Sequence, residues 1–235
     1  MKEATKKPNI TLFFPVYKDE NTVERVVSKS FKVLKEIAGD YEVIVINDGS
    51  PDKSGAVADS LKKKYKNLTV IHHKVNMGYG AALKSGFEAA KYEWICFTDG
   101  DDEYDVNDLR HLIKLKDYYD LIITFRYKKL YSNFRILTSL VYNKVVRLIF
   151  RSSYRDISTG LRLVKKEVVD QLNLTSNSPF IGAELTLRIM LKGYRVGEVG
   201  IQTFPREFGS GSTVSLKNIW LTIKDLRSVY KSIFS

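Results

Sequence analysis

Apolar and polar positions alternate along the first half of the chain in a repeating rhythm. Residues 10–16 form an apolar, β-rich run, and residues 20–38 then place Val23, Val26, Val27, Phe31 and Leu34 at helical spacing. The pair recurs as a β-branched run over 41–46 with a helix over 56–65. It recurs again as a strand over 68–71, a loop over 72–77 and a helix over 80–91. Residues 94–98 predict a fourth strand, 106–116 a helix and 121–124 a fifth strand. Such alternation predicts an α/β fold, a Rossmann-like, mainly parallel sheet flanked by helices. After Arg126 the rhythm changes. An amphipathic helix is expected over 134–150, a strand over 159–164, a helix over 183–191 and an extended return over 195–204. The last segment carries Leu216, Ile219, Trp220, Ile223, Leu226, Tyr230, Ile233 and Phe234 at helical spacing, interspersed with Lys217, Lys224, Arg227 and Lys231.

Chemistry concentrates where the fourth strand ends, in Phe97-Thr98-Asp99-Gly100-Asp101-Asp102-Glu103. Ligands of open α/β sheets bind outside the carboxyl ends of the strands. Carboxylates crowded there repel one another and call for a cation. Asp99 and Asp101 flank one small residue, so both can reach one hard ion, and Mg²⁺ or Mn²⁺ bridging a diphosphate is the natural candidate. An acidic turn capping the next helix through Asp102, Glu103 and Asp105 accounts for the same residues without a ligand.

The 235 residues suffice for one full domain, and nothing in them suggests two. The lone cysteine, Cys96, lies in an apolar run and fits packing in a reducing compartment. The first residues lack the apolar stretch of a signal peptide. No run of about 18 apolar residues predicts a membrane span. The formal charge of +11 is unevenly placed: from Arg126 to Lys166 eleven Lys or Arg face one acid, Asp156. Such a block suits a phosphorylated substrate, anionic lipid or nucleic acid, and charge alone does not separate them. Within it Arg135, Ser139 and Asn143 recur every four residues, so the helix can present Arg135 and Ser139 to one anion. The basic amphipathic tail suits a membrane interface or packing on the domain equally.

Histidine adds little at this level: His72 and His73 are adjacent and point to opposite sides of an extended segment, and His111 reads as a surface residue. Gly78 and Gly80 suggest a dinucleotide fingerprint, but Leu83 stands where its third glycine belongs, so a tight turn is expected instead.

Taken in order, Phe14-Pro15-Val16-Tyr17 with Glu20, Asn47-Asp48-Gly49-Ser50, Asn76-Met77-Gly78-Tyr79-Gly80-Ala81 and Asp99-Gly100-Asp101 resemble the successive signatures of family 2 glycosyltransferases. Arg126, the Arg135/Ser139/Asn143 helix and Asp156-Ile157-Ser158-Thr159-Gly160-Leu161-Arg162 narrow the likeness to the polyprenyl-phosphate hexose synthases of the dolichol-phosphate mannose synthase type. So do Glu184 and Arg206 with Gly209 and Ser212. The resemblance implies a GT-A catalytic domain over 1–213 and an amphipathic helix over 214–235. It implies that Pro15, Tyr17, Glu20, Asp48, Gly78, Asp99, Gly100, Asp101, Arg206 and Ser212 bind the nucleotide sugar. Asp99, Asp101 and Glu103 would hold Mg²⁺ or Mn²⁺. Many polyprenyl-phosphate members carry Gln where Glu103 stands, and Asp102 has no role in the family pattern beyond capping.

The implied reaction is inverting transfer of a hexose, of the GDP-mannose or UDP-glucose type, to polyprenyl phosphate. Asp101, Arg126, Arg135 and Arg206 would take part in catalysis. Arg126, Arg135 and Ser139 would hold the acceptor phosphate, and Arg206 with Ser212 would belong to a loop closing over the donor. Phosphate monoesters have a second pKa of about 6, so such an acceptor is already a nucleophile at neutral pH and needs no general base. The expected location is the cytoplasmic membrane face, by peripheral contact. A family member with a hydroxyl acceptor is the rival reading, and it would need a base near the anomeric carbon. A nucleic-acid module is a remote alternative; no nucleic-acid partner is expected, because the basic block lacks a recognised binding motif.

Overall fold

The computed structural model describes residues 7–128, 130, 133–208 and 216–234. Seven strands, β1 (Ile10–Val16), β2 (Tyr41–Asn47), β3 (Leu68–His72), β4 (Trp94–Phe97), β5 (Leu121–Arg126), β6 (Arg162–Lys165) and β7 (Val196–Ile201), form one sheet. Its order is β3-β2-β1-β4-β6-β5-β7. All neighbours pair in parallel except β6, which runs antiparallel to both β4 and β5. The helices are α1 (Val23–Ile37), α2 (Ser54–Leu61), α3 (Tyr79–Ala89), α4 (Leu109–Leu112), α5 (Asn133–Phe150), α6 (Lys166–Val169), α7 (Ile181–Leu191) and α8 (Leu216–Phe234).

This is the mainly parallel, helix-flanked sheet that the alternation predicts. β1 and β4 are buried throughout, as continuous apolar runs in a sheet covered on both sides must be. Leu12, Phe14, Val45 and Cys96 point to the side covered by α1 and α2. Phe13, Ile44, Ile95 and Ile123 point to the side covered by α3 and α7. There the rings of Phe13, Phe87 and Phe97 pack at centroid distances of 5.1–5.7 Å. A third cluster joins Val146 and Phe150 of α5, Phe180, Ala183 and Leu187 around α7, and Val229 of α8. The amphipathic tail is therefore packed on the domain through one of its sides.

Several expected boundaries move for local reasons. The helix expected from residue 20 begins at Val23, because the Asp19 carbonyl accepts the Thr22 and Val23 amides in a preceding turn. The helix expected to reach residue 65 stops at Leu61 and unwinds through a turn closed by Tyr65 N–H on the Leu61 carbonyl. The segment 106–116 splits into a 3₁₀ turn, the short α4 and a second 3₁₀ turn, starting where the Asp105 carboxylate caps the Asn107 amide at 3.0 Å. The strand expected from residue 159 begins at Arg162. Before it, side chains replace the ladder: Thr159 donates to the Thr124 carbonyl and Thr124 to that of Leu161.

The chain also buries a whole arginine. Arg162, 1% exposed, donates to the carbonyls of Ile157 (2.7 Å), Thr159 (3.0 Å) and Gly182, and to the Thr186 hydroxyl (2.8 Å). No carboxylate is among these partners. The guanidinium ties the turn before β6 to the first turns of α7 by donating to the Ile157 and Thr159 carbonyls and to that of Gly182, which also takes the Thr186 hydroxyl. Replacing Arg162 with Leu removes these buried donors, so the chain should lose about 3 kcal/mol or more of stability, read as a lower urea midpoint. An unchanged midpoint would refute this assignment.

Candidate active site

The parallel strands β1, β2, β4 and β5 end on one edge of the sheet, and the strand order reverses between β1 and β4. That reversal opens a crevice where such sheets bind ligands. Two loops wall one side of it. The amides of Lys18, Asp19 and Glu20 donate to Ser50 Oγ, Ser54 Oγ and Asp52 Oδ2, and the Lys53 amide donates back to Glu20 Oε2 at 2.9 Å. Glu20 is thus seated by its neighbouring loop, whereas Tyr17 is 38% exposed at the rim. Pro15 lies in the buried end of β1. Its carbonyl leaves no space for a Cβ at Gly100, which would fall 2.6 Å away. Glycine at position 100 therefore lets the acidic loop close on β1.

Beyond β4 the carboxylates diverge. Asp99 Oδ1 accepts the Tyr79 hydroxyl at 2.8 Å, and a Cβ on Gly160 would sit 2.5 Å from Asp99 Oδ2. The glycine of the 156–162 segment thus makes room for this side chain. Asp101 Oδ1 accepts the Glu103 amide at 3.0 Å, while Oδ2 takes the Arg206 guanidinium. Glu103 Oε1 lies 3.6 Å from Arg135 Nη1 and 3.9 Å from Arg206 Nε. Asp102 turns away: at φ 59° it directs its carboxylate to Arg25 Nε (2.6 Å) and Lys29 Nζ (3.0 Å). Its role is a surface charge cluster rather than the helix cap expected from sequence; Asp105 supplies the cap.

Burial together with Asp101 and Glu103 pushes Asp99 up to about 7, although the Tyr79 hydrogen bond pulls the other way. Burial likewise raises Asp19 to about 6, against the Tyr17 amide it accepts. Among the described residues no three His, Cys, Asp or Glu side chains are already gathered as a metal cage. Arginines and a tyrosine engage the oxygens of the expected Asp99/Asp101/Glu103 set in this structure. The donor chemistry still fits Mg²⁺ or Mn²⁺: such ions take one or two protein carboxylates and complete their shell with substrate phosphate and water.

Other assignments change with the geometry. Asp48, expected at the base or ribose, accepts the Met77 amide (2.8 Å), the Gly78 amide (2.9 Å) and His73 Nδ1 (2.7 Å), and it is 3% exposed. A buried carboxylate takes backbone amides readily, and Asp48 holds the 76–78 loop in this way. His73 becomes significant through this contact and through Ser85 Oγ at 2.9 Å, a signal that adjacency to His72 concealed. Gly78 takes φ 92° at the start of α3, as a tight turn requires.

Arg126 lies against Asp156 (2.7 Å) and Ser158 (3.0 Å) at the end of β5, so part of its charge is balanced within the protein. Asn143 is buried and bridges Ser139 O, Asp156 Oδ1 and the Ile157 amide, fixing α5 to the same loop. Arg135 and Ser139 occupy the first turns of α5, and Arg135 reaches the acidic cluster. Glu184 sits at the base of the next loop, accepting the Thr175 and Ser176 amides and Arg188 Nε. Ser212, with Gly209 and Gly211, lies outside the described residues. Arg206, expected over a donor diphosphate, engages Asp101 here and lies 3.9 Å from Glu103.

Two protons follow from the raised carboxyls. Without a divalent cation the folded chain keeps protons on Asp99 and Asp19 that the unfolded chain releases above its ordinary 3.8, so stability should fall as pH rises towards about 7. A metal held at Asp99 would have to displace its proton. Mn²⁺ affinity, titrated by calorimetry, should therefore rise with pH and level off above about 7. Affinity independent of pH would count against metal at Asp99.

Comparison with known proteins adds an independent line. The chain is 28% identical over 212 residues to glycosyltransferase AglD of Haloferax volcanii, covering 84% of this chain and 33% of that one. It is 24% identical over 214 residues to undecaprenyl-phosphate 4-deoxy-4-formamido-L-arabinose transferase of Pectobacterium carotovorum, covering 90% and 64%. It spans about a third of the first of these relatives and less than two thirds of the second. Glucosyl-3-phosphoglycerate synthase from Mycobacterium tuberculosis, crystallised with Mn²⁺, uridine diphosphate and phosphoglyceric acid, superposes with a TM-score of 0.75 over 95% of this chain and 78% of that one, at 15% identity. That likeness establishes a GT-A-like fold. The family model for glycosyl transferase family 2 matches residues 11–172, more than half of the chain, and the protein belongs to that family.

Proposed function

We propose that this chain transfers a hexose from a nucleotide sugar to a polyprenyl phosphate, inverting the anomeric carbon, in the presence of Mg²⁺ or Mn²⁺. The observation that carries the reading is the meeting of two charge groups at one strand edge. Asp99, Asp101 and Glu103 follow β4, and Arg135 approaches them from α5 at 3.6 Å from Glu103. A donor diphosphate and an acceptor phosphate carry like charge and have to be brought together. Alternating anionic and cationic side chains is one way to do so. The undecaprenyl-phosphate transferase among the relatives supports a lipid phosphate acceptor, and the synthase crystallised with Mn²⁺ and uridine diphosphate supports a nucleoside diphosphate donor.

In this reading the crevice between β1 and β4 takes the nucleotide, with Tyr17 at its rim and the 17–20 and 50–54 loops as its wall. Asp99 and Asp101, with Glu103 beside them, hold a divalent cation that neutralises the diphosphate when bound. Arg206 exchanges its carboxylate partner for donor phosphate. Arg135 and Ser139 orient the acceptor phosphate, and Arg126, braced by Asp156, adds positive potential at the end of β5. An acceptor oxygen attacks the anomeric carbon from the side opposite the diphosphate. Its C–O bond forms as the bond to the β-phosphate oxygen breaks, and the nucleoside diphosphate leaves with the electron pair.

The helices that flank the acceptor side suit a lipid surface. α5 exposes Leu137, Leu140, Val141 and Leu148, and α8 exposes Ile219, Trp220 and Ile223 amid lysines. No helix among the described residues is long and apolar enough to cross a membrane. Peripheral attachment to a membrane is the arrangement these surfaces favour.

With labelled UDP-glucose and GDP-mannose, Mn²⁺ and a short-chain polyprenyl phosphate, sugar-phosphate-lipid should form from one donor. Asp101→Ala and Arg135→Ala should each lower the rate about 100-fold or more. Product on a hydroxyl acceptor alone would favour the rival acceptor class. Cosedimentation with vesicles containing anionic lipid should fall in Trp220→Ala combined with Leu148→Ala. Equal pelleting of variant and native chain would exclude these helices as the contact.

A further inference from the structure

α8 is basic along its length apart from one acid, Asp225, and none of the contacts described so far uses it. Its carboxylate does not face the lysines. Asp225 Oδ2 accepts the backbone amides of Asn177 (3.1 Å) and Ser178 (3.0 Å) in the loop that leads into α7. The residues just before, Thr175 and Ser176, give their amides to Glu184. Two carboxylates from two helices thus fix four successive amides of one short loop.

The other side of this loop touches the donor site. The Asn177 carbonyl accepts the Gly80 amide at 3.1 Å, and Asn177 Oδ1 accepts Lys84 Nζ at 2.6 Å. A Cβ on Gly80 would lie 2.6 Å from Asn177 Cα and 2.7 Å from the Ser176 carbonyl, and one on Gly78 would lie 3.3 Å from the Asn177 carbonyl. Both glycines are therefore fitted to the backbone of residues 176–177. Between them stands Tyr79, whose hydroxyl donates to Asp99 at 2.8 Å. Asp48 holds the same turn from the opposite side through the Met77 and Gly78 amides.

We infer that Asp225 is a positioning residue of the donor site, acting through Asn177 on the Gly78–Gly80 turn and through Tyr79 on Asp99. The inference rests on the donor-site reading above for its functional consequence, but the mechanical link is a property of the fold. Asp48 clamps the turn from the sheet and Asn177 clamps it from the helical layer, so loss of either clamp frees the first turn of α3. α8, which carries the apolar surface offered to lipid, thereby reaches Asp99 at the far end of the site through three hydrogen bonds.

The test uses the full chain with Asp225→Ala, Asp225→Asn and, as a control on α8 packing, Ser232→Ala, which removes the 2.9 Å bond to Arg188. Hydrogen exchange of the segment 77–82 is read without ligand, and affinity for UDP and GDP is read by calorimetry with Mn²⁺. Asp225→Ala should speed exchange in that segment and weaken nucleotide affinity, each by about tenfold. Asp225→Asn, whose amide oxygen can still accept, should stay near the native chain, as should Ser232→Ala. Unchanged exchange in Asp225→Ala would overturn the link. An equal effect in Ser232→Ala would reduce it to general loss of α8 packing, and faster exchange with unaltered affinity would remove it from the donor site. If exchange responds but the native chain binds neither nucleotide, the link stands and the donor-site reading falls.

Discussion

Like charges at the end of one buried strand set the terms for the rest of this molecule. Asp99, Asp101 and Glu103 follow β4 within six residues, and the Asp99 carboxyl is raised first by its burial and then by the charge of Asp101 and Glu103. The surrounding structure offsets that repulsion piece by piece. Tyr79 donates to one carboxylate, Arg206 to the second, and Arg135 stands by the third. Asp102 is turned out of the cluster altogether by its left-handed backbone and handed to Arg25 and Lys29. These five partners come from four parts of the chain. The acidic loop is consequently where α1, α3, α5 and the segment after β7 meet.

Most of the architecture was legible in the sequence because it depends on period. Unbroken apolar runs such as Trp94–Phe97 can only be strands covered on both faces, and the helical spacing of Val23, Val26, Val27 and Leu34 fixes which side of α1 is buried. What periodicity does not encode is direction, so the antiparallel insertion of β6 between β4 and β5 was invisible. Helix boundaries shift where the backbone makes a local turn that periodicity does not register: the Asp19 carbonyl takes the Thr22 and Val23 amides ahead of α1, and the segment from Val106 breaks into 3₁₀ and α pieces.

The site was legible as a set of residues but not as a set of contacts. The strand-end motifs do converge on one edge of the sheet. Yet Asp48 is buried against backbone amides, Arg126 is balanced by Asp156, and Glu184 braces a loop. In each case a charged residue in a signature does structural work one step behind the surface where a ligand would lie. His73 and Asp225 illustrate the converse. Neither belongs to a motif, and both gain their meaning from hydrogen bonds made across the fold to or by a carboxylate. Arg162 shows why a motif residue can be hard to interpret: its cation lies over the Phe97 ring and hydrogen-bonds to carbonyls and a hydroxyl, so its service is to the fold.

The interlocked loops after β1 and β2 have an entropic consequence. Four backbone amides of residues 18–20 and 53 are already satisfied by side chains of the facing loop. A small molecule entering beside them meets a wall whose conformational freedom was surrendered during folding, so little ordering is left to oppose association. Selection among similar molecules at such a wall works through fixed shape and unmatched polar atoms rather than through adaptation of the chain.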